Sequence, residues 1–153
     1  MQSAINFERH KEQVLNNEVF ICGIDEINDI ALRLKSILED KNKIVLLRGD
    51  LASGKTTLVK QIVKVFGCND LVTSPTFSLQ SCYEKNIFHY DLYNKTLNEF
   101  ISLGMLEEFE KNGLHFVEWG NDDLEDILND YGFEYMNIKI KKLDRLREYT
   151  IET

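Results

Sequence analysis

The residues most clearly suited to chemistry lie at 49–56, where the chain reads Gly-Asp-Leu-Ala-Ser-Gly-Lys-Thr. This stretch fits the pattern of a glycine, four residues, and then glycine, lysine and serine or threonine. A loop of this kind turns consecutive backbone N–H groups inward, which creates a concave site for anions. The pattern therefore indicates a loop that binds the phosphates of a nucleotide.

Each part of this loop has a predicted task. Lys55 reaches the β- and γ-phosphates, and the Thr56 hydroxyl is a ligand for Mg²⁺. Gly49 and Gly54 stand where a side chain would obstruct the turn or the phosphate. The predicted nucleotide contacts within the loop are Asp50, Leu51, Ala52, Ser53, Gly54, Lys55 and Thr56. The alternative is an ordinary strand–turn–helix unit with an exposed lysine.

The segments on either side of the loop match the context that the motif requires. Residues 43–48 are rich in branched apolar side chains and are predicted to form a short buried strand. Residues 57–66 are predicted to form a helix that Gly67 ends, because their apolar side chains fall on one stripe. The N-terminus of this helix adds its partial positive charge to the phosphate site.

Three further groups of polar residues stand at predicted strand ends or in a loop. Residues 73–76 form a hydroxyl-rich loop, which is either a γ-phosphate sensor or a plain turn. Alternation along a strand places His89 and Asp91 on one face, where they orient a water or a metal ligand, or simply meet solvent. A buried strand over 114–119 ends at Glu118, either as a second acidic group near Mg²⁺ or as an acid that caps the strand end.

The remaining elements are predicted from periodicity and turn residues. Asp25 and Asn121 are the predicted N-caps of two helices. The predicted helices span residues 25–39, 97–111 with a break near Gly104, and 122–131. The predicted strands span residues 18–22, 79–83 and 87–90, with a turn at 84–86, and a closing antiparallel hairpin of 135–142 and 147–151.

Length and composition indicate a single globular domain. A chain of 153 residues forms one sizeable core, and we predict an N-terminal extension at residues 1–17 and one P-loop domain at 18–153. No apolar stretch has the length of a membrane span, and the first residues contain no apolar signal core. The scattered cysteines favour reduced thiols. We therefore expect a cytoplasmic protein that does not contact a membrane.

The net charge of −8 is unevenly distributed. An acidic protein does not wrap a phosphate backbone through its overall field. Between Glu99 and Glu134 the chain has eleven acidic residues and one base, Lys111. This stretch is either a solvated face or an acidic docking surface for a basic partner.

Four motifs occur in one order: the loop at 49–57, Thr-Ser-Pro-Thr-Phe at 73–77, His-Tyr-Asp-Leu-Tyr at 89–93 and Val-Glu-Trp at 117–119. Together they resemble the TsaE family, the small bacterial ATPases of the pathway that makes threonylcarbamoyladenosine in tRNA. The resemblance implies an α/β, P-loop NTPase-like three-layer fold with a central mixed β-sheet. It implies ATP and Mg²⁺ as cofactors, and TsaB and TsaD as partners through which tRNA is reached indirectly.

The resemblance also implies roles for individual residues. Lys55 and Thr57 hold phosphate, and Thr56 and Glu118 act on Mg²⁺. Asp91 is the acidic residue needed for hydrolysis. The residues of a switch-like loop are Thr73, Ser74 and Thr76.

The sequence departs from the family at two places. Ala52 and Ser53 stand where the family loop usually has Gly-Ala, and Gly120-Asn121 stand where it usually continues with Pro or Ala and then Glu. If position 52 needs a positive φ, alanine there costs about 1 kcal/mol.

Two other functions compete with an ATPase. A small-molecule kinase has the same kind of loop and commonly closes an arginine-bearing lid over the phosphoryl group. No arginine lies between Arg48 and Arg145, where a lid would insert, which favours an ATPase that is slow alone and completed by a partner. The second alternative is a nucleotide-dependent docking module without useful turnover.

Overall fold

Seven strands form one mixed sheet in the computed structural model, which describes residues 17–75 and 78–153. The strands are β1 (Glu18–Cys22), β2 (Lys43–Arg48), β3 (Gln80–Tyr83), β4 (Ile87–Asp91), β5 (Leu114–Glu118), β6 (Tyr135–Leu143) and β7 (Leu146–Glu152). Across the sheet they lie in the order β1-β7-β6-β2-β5-β4-β3.

The centre of the sheet is parallel, and its two sides are antiparallel. β2 pairs in parallel with β5 on one side and β6 on the other, and β4 pairs in parallel with β5. β3 joins β4, β7 joins β6 and β1 joins β7 in antiparallel register. The carboxyl ends of β2, β4 and β5 therefore meet at one edge, where ligands bind in open α/β sheets.

Helices cover both faces of the sheet. They are α1 (Ile27–Leu38), α2 (Lys55–Val65), α3 (Leu97–Ser102), α4 (Met105–Glu108) and α5 (Asp122–Asp130). Val45 and Leu47 of β2 pack in the core under α1 and α2, whereas Ile44 and Leu46 pack under α3, α4 and α5. Since β2 is buried on both faces, the chain has the predicted three-layer α/β fold. Among the described residues, no helix combines the length and the apolar character needed to cross a membrane.

Most predicted elements are present close to their expected bounds. The predicted strands at 18–22 and 43–48 coincide with β1 and β2. Gly104, with a φ of 79°, separates α3 from α4. Asn121 caps α5 as predicted, because its Oδ1 accepts a hydrogen bond from the backbone N–H of Leu124 at 2.9 Å.

The prediction that Asp25 caps the first helix is wrong. Ile24–Glu26 form a 3₁₀ turn, and α1 begins after it at Ile27. The Glu26 carboxylate accepts a hydrogen bond from the backbone N–H of Gly23 at 3.2 Å. The Glu26 side chain therefore satisfies a backbone N–H at the start of the 3₁₀ turn, and Asp25 lies within this turn. Except for Asn17, the predicted N-terminal extension lies outside the described residues.

Candidate functional site

The loop between β2 and α2 requires both of its glycines. A Cβ on Gly49 would lie 2.6 Å from the carbonyl oxygen of Ile140 and 2.6 Å from the Ser53 hydroxyl. Gly54 precedes α2 with a φ of 107°, a conformation that other residues rarely adopt. The backbone thus turns tightly at the end of β2 and opens the N-terminus of α2 to the cleft.

Ala52 also adopts the left-handed conformation, with a φ of 61°. This is the position at which the family usually carries glycine. Alanine in this region costs about 1 kcal/mol relative to the right-handed conformation. The loop therefore keeps the glycine-type backbone and carries strain at this residue.

The ammonium group of Lys55 lies inside the loop. Lys55 is buried, and its Nζ donates hydrogen bonds to the carbonyl oxygens of Gly49 at 2.7 Å and Asp50 at 2.9 Å. Nζ also lies 3.9 Å from the ring centroid of Trp119. Burial lowers the pKa of Lys55, and nearby carboxylates, first that of Glu118, oppose this shift. A phosphate in the loop would be a stronger, charged acceptor for this ammonium.

Thr56 and Glu118 form the second part of the site. The Thr56 hydroxyl lies 2.9 Å from each carboxylate oxygen of Glu118, to which it donates. Glu118 is buried at the end of β5, and the register pairs it with Leu47 near the end of β2. Hydroxyl and carboxylate oxygens are the hard donors that Mg²⁺ prefers. The donor set therefore fits the predicted Mg²⁺ ligands.

Asp91 lies on the strand next to Glu118. The parallel register of β4 and β5 places the two residues side by side. Oδ2 of Asp91 accepts a hydrogen bond from the Ser74 hydroxyl at 2.6 Å, and Oδ1 accepts one from the backbone N–H of Tyr93 at 2.9 Å. These contacts fix the Asp91 carboxylate at the edge of the sheet where the loop lies.

Part of the predicted switch-like loop reaches this site. Ser74 contacts Asp91 and lines the cleft, whereas Thr73 is exposed and stands outside the cleft wall formed by the described residues. Thr76 lies outside the described residues.

His89 reaches the site through a contact that the sequence pattern did not specify. It is fully buried, its Nε2 lies 2.5 Å from Oε2 of Glu118, and its Nδ1 lies 2.9 Å from the Tyr83 hydroxyl. Alternation places His89 on the face of Asp91, as predicted, but its ring contacts Glu118 on the neighbouring strand. The signal for this contact is the same alternation in β5, which puts Glu118 on that face too.

The side chains of the site line one open cleft with a volume of 460 Å³. Its wall consists of Leu51, Ala52, Ser53, Gly54, Lys55, Thr56, Thr57, Ser74, Asp91, Tyr93, Glu118 and Trp119. The rings of Tyr93 and Trp119 are 4.9 Å apart and form its aromatic side. Of the predicted nucleotide contacts, Asp50 is not part of the wall and instead accepts a hydrogen bond from Lys55 through its carbonyl oxygen.

A second, smaller cleft of 180 Å³ lies on the other side of the loop. It shares Ala52, Ser53, Gly54 and Thr57 with the first cleft, and its other walls are Ile24, Ile27, Arg145, Arg147 and Tyr149. Nε of Arg147 donates a hydrogen bond to the Ser53 carbonyl oxygen at 3.0 Å. A larger cleft of 540 Å³, lined in part by Asn137, shares no wall residue with either.

Arg48 is engaged away from the loop. Its Nη1 donates to Glu125 at 2.9 Å, and its Nη2 donates to Asp122 at 2.7 Å. Part of the acidic stretch therefore serves an ion-pair network within the chain. Among the described residues that line the loop cleft, there is no arginine.

Comparison with known sequences matches this chain to one family. The sequence model described as "Threonylcarbamoyl adenosine biosynthesis protein TsaE" matches residues 23–149. A "tRNA threonylcarbamoyladenosine biosynthesis protein TsaE" from Rickettsia bellii is 38% identical over 112 residues, which cover 70% of this chain and 76% of that protein. The protein of the same name from Bacillus subtilis is 32% identical over 100 residues, which cover 63% of this chain and 62% of that protein.

A solved structure has the same type of α/β fold as this chain. The crystal structure of YdiB from Bacillus subtilis superposes with a TM-score of 0.65, at 24% sequence identity. The superposition covers 89% of this chain and 84% of that chain.

Proposed function

The chain belongs to the TsaE family of tRNA threonylcarbamoyladenosine biosynthesis proteins, and we propose that it binds ATP with Mg²⁺ and hydrolyses it slowly. The observation behind this proposal is the meeting of four groups in one cleft. They are the Lys55 ammonium, the Thr56 hydroxyl and the carboxylates of Asp91 and Glu118. A cation, a hydroxyl and two acids around a phosphate-binding loop suit phosphoryl transfer from a nucleotide.

The loop binds the phosphates of ATP in this proposal. Its backbone N–H groups and the N-terminus of α2 attract negative charge. Lys55 exchanges its contacts with the loop carbonyls for contacts with phosphate. Thr57, which is exposed in the cleft wall at the start of α2, adds a second hydroxyl.

Thr56 and Glu118 hold Mg²⁺ in this proposal. Their oxygens already lie together, and the end of β5 fixes Glu118 beside the loop. When bound, the ion neutralises charge that develops on the transferred phosphoryl group.

Asp91 is our candidate for orienting the attacking water. It lines the cleft beside Glu118, and Ser74 and the backbone of Tyr93 fix its carboxylate. A carboxylate held in this way positions a water molecule and accepts its proton.

The smaller cleft accommodates the adenine base. It lies next to the loop and offers the apolar side chains of Ile24 and Ile27 and the ring of Tyr149. A flat aromatic base is bound by such a combination of apolar surface and polar rim. Arg145 and Arg147 supply the polar rim on this side.

The active site is completed by TsaB and TsaD in this proposal, and tRNA is reached through them. Hydrolysis needs positive charge on the γ-phosphate beyond a lysine and a metal ion. No arginine lines the described part of the loop cleft, which favours a group supplied by a partner. The net charge of −8 argues against strong binding of tRNA by this chain itself.

One assay separates this proposal from a kinase and from a docking module. The purified chain is incubated with ATP and Mg²⁺ alone, with TsaB and TsaD, and with a panel of phosphate acceptors. We expect slow release of phosphate by the chain alone and faster release with TsaB and TsaD. Transfer of phosphate to an acceptor would identify a kinase, and binding of ATP without hydrolysis in any mixture would identify a docking module.

A further inference from the structure

We propose that His89 is a positioning residue that holds the Glu118 carboxylate in its metal-binding orientation, and that Tyr83 fixes the tautomer of His89. The inference rests on the proposed function, in which Glu118 is a ligand of Mg²⁺. It assigns a task to two side chains that stand behind the cleft wall.

The geometry gives His89 one acidic contact. Its ring is completely buried, and Nε2 lies 2.5 Å from Oε2 of Glu118, which is 3% exposed. The Thr56 hydroxyl contacts the same carboxylate from the cleft side. The Glu118 carboxylate therefore contacts the His89 imidazole on its buried side and the Thr56 hydroxyl on the side of the cleft.

The hydrogen-bond chain defines which nitrogen of His89 carries the proton. An ionised carboxylate only accepts hydrogen bonds, so the hydrogen lies on Nε2 and points at Glu118. Nδ1 then accepts a hydrogen bond from the Tyr83 hydroxyl at 2.9 Å. Burial raises the pKa of Tyr83, so the phenol keeps its proton and remains a donor toward His89.

A group that orients a metal ligand in this way changes metal affinity without touching the metal. Loss of such a partner typically reduces metal affinity or activity by about 10-fold to 100-fold. If His89 only filled the core, its substitution would lower the stability of the fold and leave the Mg²⁺ dependence of nucleotide binding unaltered.

Two substitutions of His89 separate these roles. In His89→Gln the amide N–H replaces the Nε2–H that points at Glu118. In His89→Asn the shorter side chain reproduces only the Nδ1 side of the ring. Both variants remove the buried ring, so a loss of packing affects both, whereas a loss of orientation affects mainly His89→Asn.

The sole tryptophan of the chain provides the readout. Trp119 lines the cleft beside Lys55, so its fluorescence reports on occupancy of the site. Mg²⁺ is titrated into each protein in the presence of a non-hydrolysable ATP analogue. We expect His89→Asn to raise the half-saturating Mg²⁺ concentration at least about tenfold, and His89→Gln to stay within about threefold of wild type.

Tyr83→Phe tests the same series of hydrogen bonds, from Tyr83 through His89 to Glu118, without removing a ring from the core. It keeps the half-buried ring and removes the donor to Nδ1, and we expect the half-saturating Mg²⁺ concentration to rise about fivefold. Tyr135→Phe is the matched control, because its hydroxyl accepts a hydrogen bond from Asn129 and it lies outside the loop cleft.

The outcomes distinguish this inference from the proposed function. Wild-type values for both His89→Asn and Tyr83→Phe, or equal losses in His89→Asn and His89→Gln with no effect of Tyr83→Phe, would overturn the positioning role. A wild-type protein that binds the analogue without any response to Mg²⁺ would overturn the proposed metal site itself, and the positioning role with it.

Discussion

Asp91 and Glu118 are two carboxylates in one cleft with different neighbours. Glu118 contacts the Thr56 hydroxyl and the His89 ring, whereas Asp91 contacts the Ser74 hydroxyl and a backbone N–H. The first environment suits a metal ligand that shares the ion with a hydroxyl. The second environment connects Asp91 to the segment that follows α2. Such a connection suits an acid that senses or orients the reacting group.

Removing the charge of either acid separates binding from chemistry. We expect Glu118→Gln and Asp91→Asn to bind ATP nearly as well as wild type, because each acid also repels the phosphates. With TsaB and TsaD present, we expect hydrolysis to be slower by at least about 100-fold. Glu39→Gln, which changes an exposed acid at the end of α1, is the matched control. Wild-type turnover in both variants would show that these acids do not take part in hydrolysis.

Ala52 offers a test of backbone strain in the loop. In Ala52→Gly, relief of the left-handed strain offsets the entropic cost of glycine, so we expect the free energy of unfolding to stay constant or rise by up to about 1 kcal/mol. Ala31→Gly, inside α1, should lower it by at least about 1 kcal/mol, because it also removes a fully buried methyl group. Urea denaturation measures both changes. An equal loss in the two variants would mean that Ala52 is not strained.

At the scale of elements, His115 links β5 to β4 and to the turn that follows α4. Its Nδ1 lies 2.7 Å from the Tyr90 hydroxyl, and its Nε2 lies 2.8 Å from the carbonyl oxygen of Lys111. Its ring stacks on Phe88 with centroids 4.6 Å apart. Burial lowers the pKa of His115 below its ordinary value of 6.5, so the folded state favours the neutral ring.

This shift predicts a loss of stability in acid. Below the ordinary pKa of histidine, the unfolded chain binds a proton at this position that the folded chain does not bind. The free energy of unfolding should therefore fall as the pH decreases, by at most about 1.4 kcal/mol per pH unit for this group. His115→Gln should show a weaker fall than wild type when urea denaturation is compared at about pH 7.5 and about pH 5.5. Identical slopes would contradict the prediction.

Local sequence patterns predicted the elements whose causes are local. The strand β2 followed from its branched apolar run, the cap of α5 from Asn121, and the loop from its two glycines and lysine. The start of α1 was misplaced because a 3₁₀ turn at Ile24–Glu26 precedes it, and α1 begins at Ile27 without a side-chain cap.

Contacts between residues that are distant in the sequence could be predicted only from the strand order of the sheet. His89 and Glu118 are 29 residues apart, and they meet because β4 lies beside β5 in parallel register. The pairing of Arg48 with α5 is likewise a consequence of the strand order. The sequence patterns named Lys55, Thr56, Asp91 and Glu118, which the structure brings into one cleft, but they did not specify which of these side chains contact each other.

At the scale of the whole molecule, the structure divides the acidic stretch into engaged and exposed parts. Asp122 and Glu125 bind Arg48, and Glu108 binds Lys111. Glu107 and Glu110 are exposed on and just after α4. Among the exposed acids of this stretch, Glu107 and Glu110 are our candidate docking surface for TsaB and TsaD, because acidic patches accelerate encounter with basic partners.

Charge reversal tests this surface. We expect Glu107→Lys with Glu110→Lys to weaken docking to TsaB and TsaD at least about tenfold at low salt and to remove their stimulation of hydrolysis. Hydrolysis by the chain alone should not change. Glu39→Lys, an exposed acid at the end of α1 on the opposite face of the sheet, is the control. Full stimulation of the double variant would exclude this surface as the docking site.

The claim that the whole account depends on is that ATP is held at the loop of residues 49–57. Calorimetric titration of ATP with Mg²⁺ into wild type, Lys55→Ala and Lys60→Ala tests it most directly. Lys60 lies exposed on the same helix and serves as the control for loss of a positive charge. Because a charge-assisted contact contributes about 1.5–3 kcal/mol, we expect Lys55→Ala to weaken binding at least about tenfold and Lys60→Ala to leave it unchanged. Wild-type affinity in Lys55→Ala would show that the loop does not bind the nucleotide.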